Sequence, residues 1–284
     1  MKHSRVLCLA LCTLLSLSAC GITAPTPSPN PASSSSTEDL EQLTAFQDVL
    51  AGIFQDHLYP NGDPVDVPEG ADMANNRFAL FDVDGDGIKE LIYENSDSTM
   101  VGMVTRVCCY TDGQIFTEFS GFCGMTFYDN GMLTVDASHN HGLGASLDFW
   151  PYALYRHDPG SDGYLMAGSV DAWDGNAFPE TWDGEPFPEA LDLDGDRILY
   201  CLTFPGPEVE TRYMDEADYL AWRNDYLADA TPLDIPFQAM TEENITALTT
   251  ASLMTAKGSL EWSFAAIPRI STAPCSYRSE IPWS

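Results

Sequence analysis

Between residues 76 and 175 the chain is punctuated by Asp-Gly and Asn-Gly dipeptides, with short aromatic and β-branched runs between them. Such dipeptides tolerate the positive φ that tight hairpins require, so this stretch can hardly become anything but consecutive antiparallel hairpins. Arg77 to Phe81 and Glu90 to Glu94 flank an aspartate-rich loop, and Val101 to Tyr110 and Gln114 to Phe119 flank Thr111-Asp112-Gly113. Met125 to Tyr128 and Met132 to Ala137 flank Asp129-Asn130-Gly131, and Tyr152 to Arg156 and Tyr164 to Val170 flank Asp158 to Gly163. Eight or nine such strands imply an antiparallel meander, either a curled sheet or a few propeller-like blades.

Helices are expected on either side of the meander. Ser35-Ser36-Thr37-Glu38 offers a capping-box start, and Leu40, Leu43, Phe46, Val49, Leu50, Ile53, Phe54 and His57 recur at threes and fours before Pro60. His57 reads as a helix-end residue near the C-terminal dipole. Past Pro205 the pattern turns helical again: Asp215 can cap a helix bearing Tyr219, Trp222, Tyr226 and Leu227. Thr241 can cap another with Ile245 and Leu248 inward, and Leu233 to Phe237 reads as a short edge strand between them. The fold class is therefore α+β, mainly antiparallel β, with one globular domain over 38–256 and a poorly specified tail over 257–284.

The sharpest motif is the loop Asp82-Val83-Asp84-Gly85-Asp86-Gly87-Ile88-Lys89-Glu90. Carboxylates at positions one, three and five turn toward one centre, and glycine at six permits the bend that brings in the seventh carbonyl, here that of Ile88. Glu90 at nine adds a further oxygen, and oxygen-only donors of this kind suit calcium. An EF-hand needs an acid at position twelve, where this chain has Tyr93. The loop more closely resembles the strand–loop–strand calcium motif of integrin-type and related bacterial β-repeats, in which the acid at nine closes the site. Asp192-Leu193-Asp194-Gly195-Asp196 repeats the opening, but Arg197 replaces the glycine and Tyr200 the ninth-position acid, so Asp192, Asp194 and Asp196 form at best a weak second metal loop and read more readily as a solvated turn.

The first twenty residues read as an address. Lys2 and Arg5 precede an apolar run, Val6 to Ala19. As a helix it would span about 21 Å, short of the roughly 30 Å of a bilayer core, which favours a secretory signal over 1–19. Leu17-Ser18-Ala19-Cys20 resembles the lipobox of bacterial lipoproteins. That resemblance implies diacylglycerol on the Cys20 thiol and extracytoplasmic attachment to the cell membrane. The uncharged Pro/Ser/Thr-rich remainder of 20–37 reads as an extended tether.

Charge removes several function classes. Twelve Lys and Arg stand against 43 Asp and Glu, a formal charge of −31, so neither phosphate neutralisation on nucleic acid nor basic docking to anionic lipid is available. A hydrophobic content of 44% is ample for a packed core and excludes wholesale disorder. The chain has no HExxH, GxSxG, GxGxxG, CxxC or phosphate-binding GxxxxGK[ST], so the common protease, esterase, nucleotide and zinc-ribbon readings lack support. Cys108, Cys109, Cys123, Cys201 and Cys275 read as buried thiols, with Cys109–Cys123 a conceivable disulfide.

Weaker constellations remain. His139 and His141 alternate as strand-borne metal ligands would, but nothing nominates a third, and Asn140, Gly142 and Gly144 favour a hydrogen-bonded loop. Asp148, Trp150, Asp171 and Trp173 combine indoles with carboxylates as sugar-binding surfaces do, against the plainer reading that tryptophans fill the core and aspartates mark turns. Asp148, Asp171 and Asp174 would serve a secreted carboxylate-dependent, glycosidase-like hydrolase, the rival to a calcium-stabilised module that binds a glycan or peptide or is purely structural. Taken together, the chain resembles lipoproteins of Gram-positive gut bacteria on its lipobox and tether, Phe78 to Leu91, Phe127 to Gly131, Asp148 to Tyr155, Ser169 to Asp174 and Tyr219 to Ile245. The resemblance implies surface location and a calcium loop, and no activity.

Overall fold

A computed structural model describes residues 35–250 apart from residue 162. The expected signal, the expected lipidation site Cys20, most of the expected tether, Cys275 and the tail over 257–284 lie outside the described residues. Helix α1 spans Ser35–Ala51, so it takes in Ser35 to Thr37, which composition alone assigned to the tether. The capping-box residues enter the first turn instead of preceding it. A single π-helical turn, Gly52–Asp56, extends α1 and ends at His57, whose φ of 54° places it in the left-handed C-cap conformation.

The meander divides into two open antiparallel sheets. The first holds β1 (Arg77–Phe81), β2 (Glu90–Asn95), β3 (Val104–Thr111) and β4 (Gln114–Gly121) in chain order. The second holds β5 (Met125–Phe127), β6 (Met132–Asp136), β7 (Tyr152–Asp158), β8 (Gly163–Asp174), β9 (Ile198–Phe204) and β10 (Glu210–Met214). At the β3–β4 turn Asp112 and Gly113 both have positive φ, 53° and 79°, as a type I′ hairpin demands.

Three sequence expectations need correction here. Past Pro205, where the pattern was expected to turn helical, Glu210–Met214 first forms β10, paired to β9 (Ile198–Phe204). The β10 edge is mostly exposed, so its strand identity comes from pairing to β9 and leaves no alternation in the sequence. Helix α2 (Glu216–Leu227) does follow Asp215, but the Asp215 side chain makes no capping hydrogen bond. Third, the expected edge strand lies one residue past Phe237, as β11 (Gln238–Ala239) paired to Arg77 and Phe78 of β1. Pro236 has no N–H to give a ladder, which is why pairing begins beyond it.

Alternation along the strands sorts the core into layers. Leu91, Tyr93, Phe78 and Cys108 face Phe46, Leu50 and Ile53 of the α1 segment, together with Ile245 of a C-terminal helix, α3, described over 242–250. Asn244 N donates to Thr241 Oγ1 at 3.2 Å, so Thr241 caps α3 as its sequence suggests. From the opposite face Ile92 and Val107 meet Phe127, Leu133 and Val135 of the second sheet. Phe119 adds edge-on contacts with Tyr155 and Tyr164 across the same seam, centroids 4.7 and 5.5 Å apart. The outer face of the second sheet is covered by α2, with Leu227 on Met132 and Leu154, and Tyr219 on Val170 and Leu202.

Cys108, Cys123 and Cys201 are free thiols, so the conceivable Cys109–Cys123 bond is not formed. Burial pushes the thiols of Cys108 and Cys123 up to about 11 and that of Cys201 up to about 12, as expected of cysteines packed as small hydrophobes.

The seam between the sheets sets the cooperativity of the fold. Leu133→Ala at its centre is expected to cost about 2–5 kcal/mol. Denaturant curves followed by far-UV circular dichroism and by tryptophan fluorescence should shift together; separated transitions would show that the two sheets unfold independently.

Candidate metal centre

The loop between β1 and β2 is built around its own carboxylates. Asp82 accepts from Gly85 N at 2.8 Å and Gly87 N at 3.0 Å, Asp84 from Asp86 N at 3.1 Å, and Asp86 from Ile88 N at 2.6 Å. Each bond is a local aspartate-to-backbone turn, the reason aspartate is chosen over a longer acid here. Gly85 and Gly87 take φ of 83° and 92°, and these two left-handed residues wind the loop so that Asp82, Asp84 and Asp86 face one another. One oxygen from each lies within 4.8 Å of the others. Ile88, expected to offer its carbonyl, has its side chain half in solvent.

Two buried groups close the base of the loop. Glu90 is only 2% exposed, and its Oε2 accepts from Val83 N at 2.9 Å. Burial, with the neighbouring Glu118, Asp84 and Asp86 carboxylates, outweighs that hydrogen bond and pushes Glu90 up to about 8. Burial also raises Asp84, whose Oδ2 lies 3.2 Å from His157 Nε2 on β7. Val83 is buried in the inter-sheet cluster beside Phe127 and Leu133. The loop thus sits at the junction of the two sheets, with Asp84 and Glu90 turned to its drier side and Asp86 at the solvent rim.

The second loop has the same geometry. Asp192 accepts from Gly195 N and Arg197 N, Asp194 from Asp196 N, and Asp196 from Ile198 N, at 3.0, 3.1, 3.1 and 2.7 Å. Arg197 adopts φ of 64°, the left-handed conformation held by Gly87 in the first loop. Asp192, Asp194 and Asp196 also converge within 4.8 Å, with Asp194 and Asp196 exposed to solvent. Backbone winding by aspartate side chains overrides the preference for glycine at that position. Either triad could hold a metal ion.

The remaining candidates separate. His139 and His141 rings lie 4.8 Å apart, and His139 Nδ1 is 2.8 Å from Ser138 Oγ. Among the described residues the metal-competent groups of three are the two aspartate triads, and neither includes these histidines. Trp173 is in the core, edge-on to Phe187 and Tyr213, with Nε1 donating to Phe178 O at 2.7 Å, so its ring is not available for stacking on a ligand. Trp150 is half exposed and Asp148 exposed. Asp171 lines a cleft of about 450 Å³ with Tyr152, Ser169, Cys201, Thr203 and Tyr213, and burial raises its carboxyl. It is the one carboxylate in that lining.

Asp174 is fixed by structure. Burial alone would raise it, but donation from Ser146 Oγ at 2.6 Å, Asn176 N and Ala177 N outweighs that and holds it below the usual carboxylate range. Sequence reasoning missed His157 and Glu118, which reach the first loop from other strands and carry no local signal.

Compared with known proteins, the chain matches no family, no curated protein and no solved structure. No helix among the described residues is long and apolar enough to cross a membrane. The position of Asp174 gives a direct test: Asp174→Ala orphans three donors and is expected to lower unfolding stability by about 1–3 kcal/mol, measured by urea denaturation. A variant as stable as the parent would show that the bonds to Asp174 contribute nothing.

Proposed function

We propose that this chain is a lipid-anchored, extracytoplasmic surface module in which the first acidic loop binds a structural calcium ion. The observation carrying this reading is the convergence of Asp82, Asp84 and Asp86 above the buried Glu90, with Val83 and Asp84 seated against the second sheet. Four carboxylates crowded at one partly buried junction repel one another, and a divalent cation with a taste for carboxylate and carbonyl oxygen relieves that repulsion. A cation there would fasten the two sheets to each other as well as pinning a hairpin. Cys20, within Leu17-Ser18-Ala19-Cys20, is the proposed lipidation site.

The cleft around Asp171 favours a binding role over hydrolysis. The side chains of Ser169, Thr203 and Tyr213 lining the cleft with one carboxylate suit a polyhydroxylated or peptide ligand. A two-carboxylate glycosidase needs partners about 5–9.5 Å apart. Asp174 is committed to Ser146 and two backbone N–H groups, and Asp148 is exposed and outside the cleft lining.

Two measurements test this reading. Calcium at a hundredfold its dissociation constant is expected to add about 2.7 kcal/mol over the chelated protein. For a domain of this size that is roughly a 5–11 °C rise in Tm, diminished in an Asp84→Asn/Asp86→Asn variant. No shift at several millimolar calcium would leave the loop a turn and nothing more. Independently, Cys20→Ser is expected to abolish incorporation of labelled palmitate and move the protein from the membrane fraction to the soluble one; unchanged labelling would overturn the anchor.

A further inference from the structure

In the first loop the buried base is Glu90, which accepts from the N–H of the loop's second residue, Val83. The corresponding N–H in the second loop belongs to Leu193, and it too donates to a buried carboxylate: Asp215 Oδ2, at 3.2 Å. Asp215 is 5% exposed, and its other oxygen, Oδ1, is buried without a hydrogen-bond partner. The position is unusual in another way. Asp215 stands at the N-cap of α2 with extended backbone angles, yet its side chain forgoes the capping bond that aspartate ordinarily makes there. It is turned to the loop instead.

The sheet explains how a residue so far along the chain reaches this place. Strand β10 pairs antiparallel to β9 with Met214 opposite Tyr200, so the next residue, Asp215, falls at the end of β9 where the loop enters. Tyr200 occupies the ninth position of the loop, and its ring stacks on Tyr219 of α2 at 4.1 Å and 11°. The aromatic pair thus fills the ninth position and holds α2 where its preceding aspartate can supply the missing acid. The Arg197 guanidinium of the loop is engaged elsewhere, paired with Glu189 at 2.9 Å and lying over the Phe187 ring.

We propose that Asp192, Asp194 and Asp196, completed by Asp215, form a second divalent-cation site that fastens the start of α2 to the second sheet. A bound cation gives the orphaned Oδ1 a partner in a place where an unpaired carboxylate oxygen is costly. The oxygen-only donor set selects a hard ion, calcium before zinc or copper. This site shares no residue with the first loop and stands or falls separately from it.

The test is a calcium titration of the purified, metal-free, 15N-labelled protein followed by amide NMR. Calcium is expected to shift the amides of Leu193, Gly195, Asp196 and Arg197 together with those of Glu216 to Asp218 at the start of α2. In Asp215→Asn the apparent Kd at these amides should rise on the order of ten- to a hundredfold, while Gly85 and Gly87 respond as in the parent. Shifts confined to the first loop, or second-loop shifts of unchanged affinity in Asp215→Asn, would overturn the proposal. Should Asp215→Asn fail to fold, Asp194→Asn at the exposed rim provides the same readout: its second-loop Kd must rise likewise, and an unchanged Kd refutes the site. If the first loop fails to respond while the second does, the second site survives without the first.

Discussion

The structure depends on how it accommodates carboxylates at the junction of its two sheets. Val83 sits in the apolar seam, Asp84 reaches His157 on the second sheet, and Glu90 is buried where β2 begins. Without the loop, Ile92 and Val107 would still meet Leu133, but the end of the seam would lie open. With it, the seam is closed by residues whose ionised forms are costly there, which is why burial raises both Asp84 and Glu90. Apolar packing and electrostatic repulsion therefore compete at one place. A bound cation would shift the balance between them.

The same local solution is used twice with different support. Both loops wind three aspartates around backbone N–H groups, and both place a buried carboxylate under the second residue. In the first, all of this is contained in nine residues of one hairpin. In the second, the ninth position is given to Tyr200, which stacks on Tyr219, and the acid arrives from the adjacent strand end. A packing role and a charge role that Glu90 combines are thereby divided between Tyr200 and Asp215. The division couples α2 to the loop, whereas the first loop couples one sheet to the other.

That difference accounts for what the sequence disclosed. The hairpins of the first sheet, the Asp112-Gly113 turn and the capping of α3 by Thr241 were legible because each is a short-range preference. The first aspartate loop was legible for the same reason. Asp215 was not, because its contact with Leu193 spans 22 positions and exists only through the β9–β10 register. His157 was hidden likewise, being brought to Asp84 by the packing of one sheet on another. Trp173 misled in the opposite direction: an indole between two aspartates suggests a sugar platform, but the ring is packed on Phe187 and Asp174 is bonded to the turn that follows it. Strand β10 gave no periodic signal because its exposed edge has no buried face to pattern.

A net charge of −31 gives the proposed ions a wider consequence. Self-repulsion in so acidic a chain opposes the compact state, and it is strongest where carboxylates are both crowded and dry. Extracellular calcium modules bind at about 10⁻⁴ to 10⁻³ M, so sites of that strength fill only where calcium is near millimolar. Under the proposed reading, the cost of gathering aspartates at the sheet junction and at α2 is relieved after export and not before. The address in the first twenty residues and the two aspartate loops would then be parts of one arrangement. The compartment that receives the protein would supply the charge that its fold lacks.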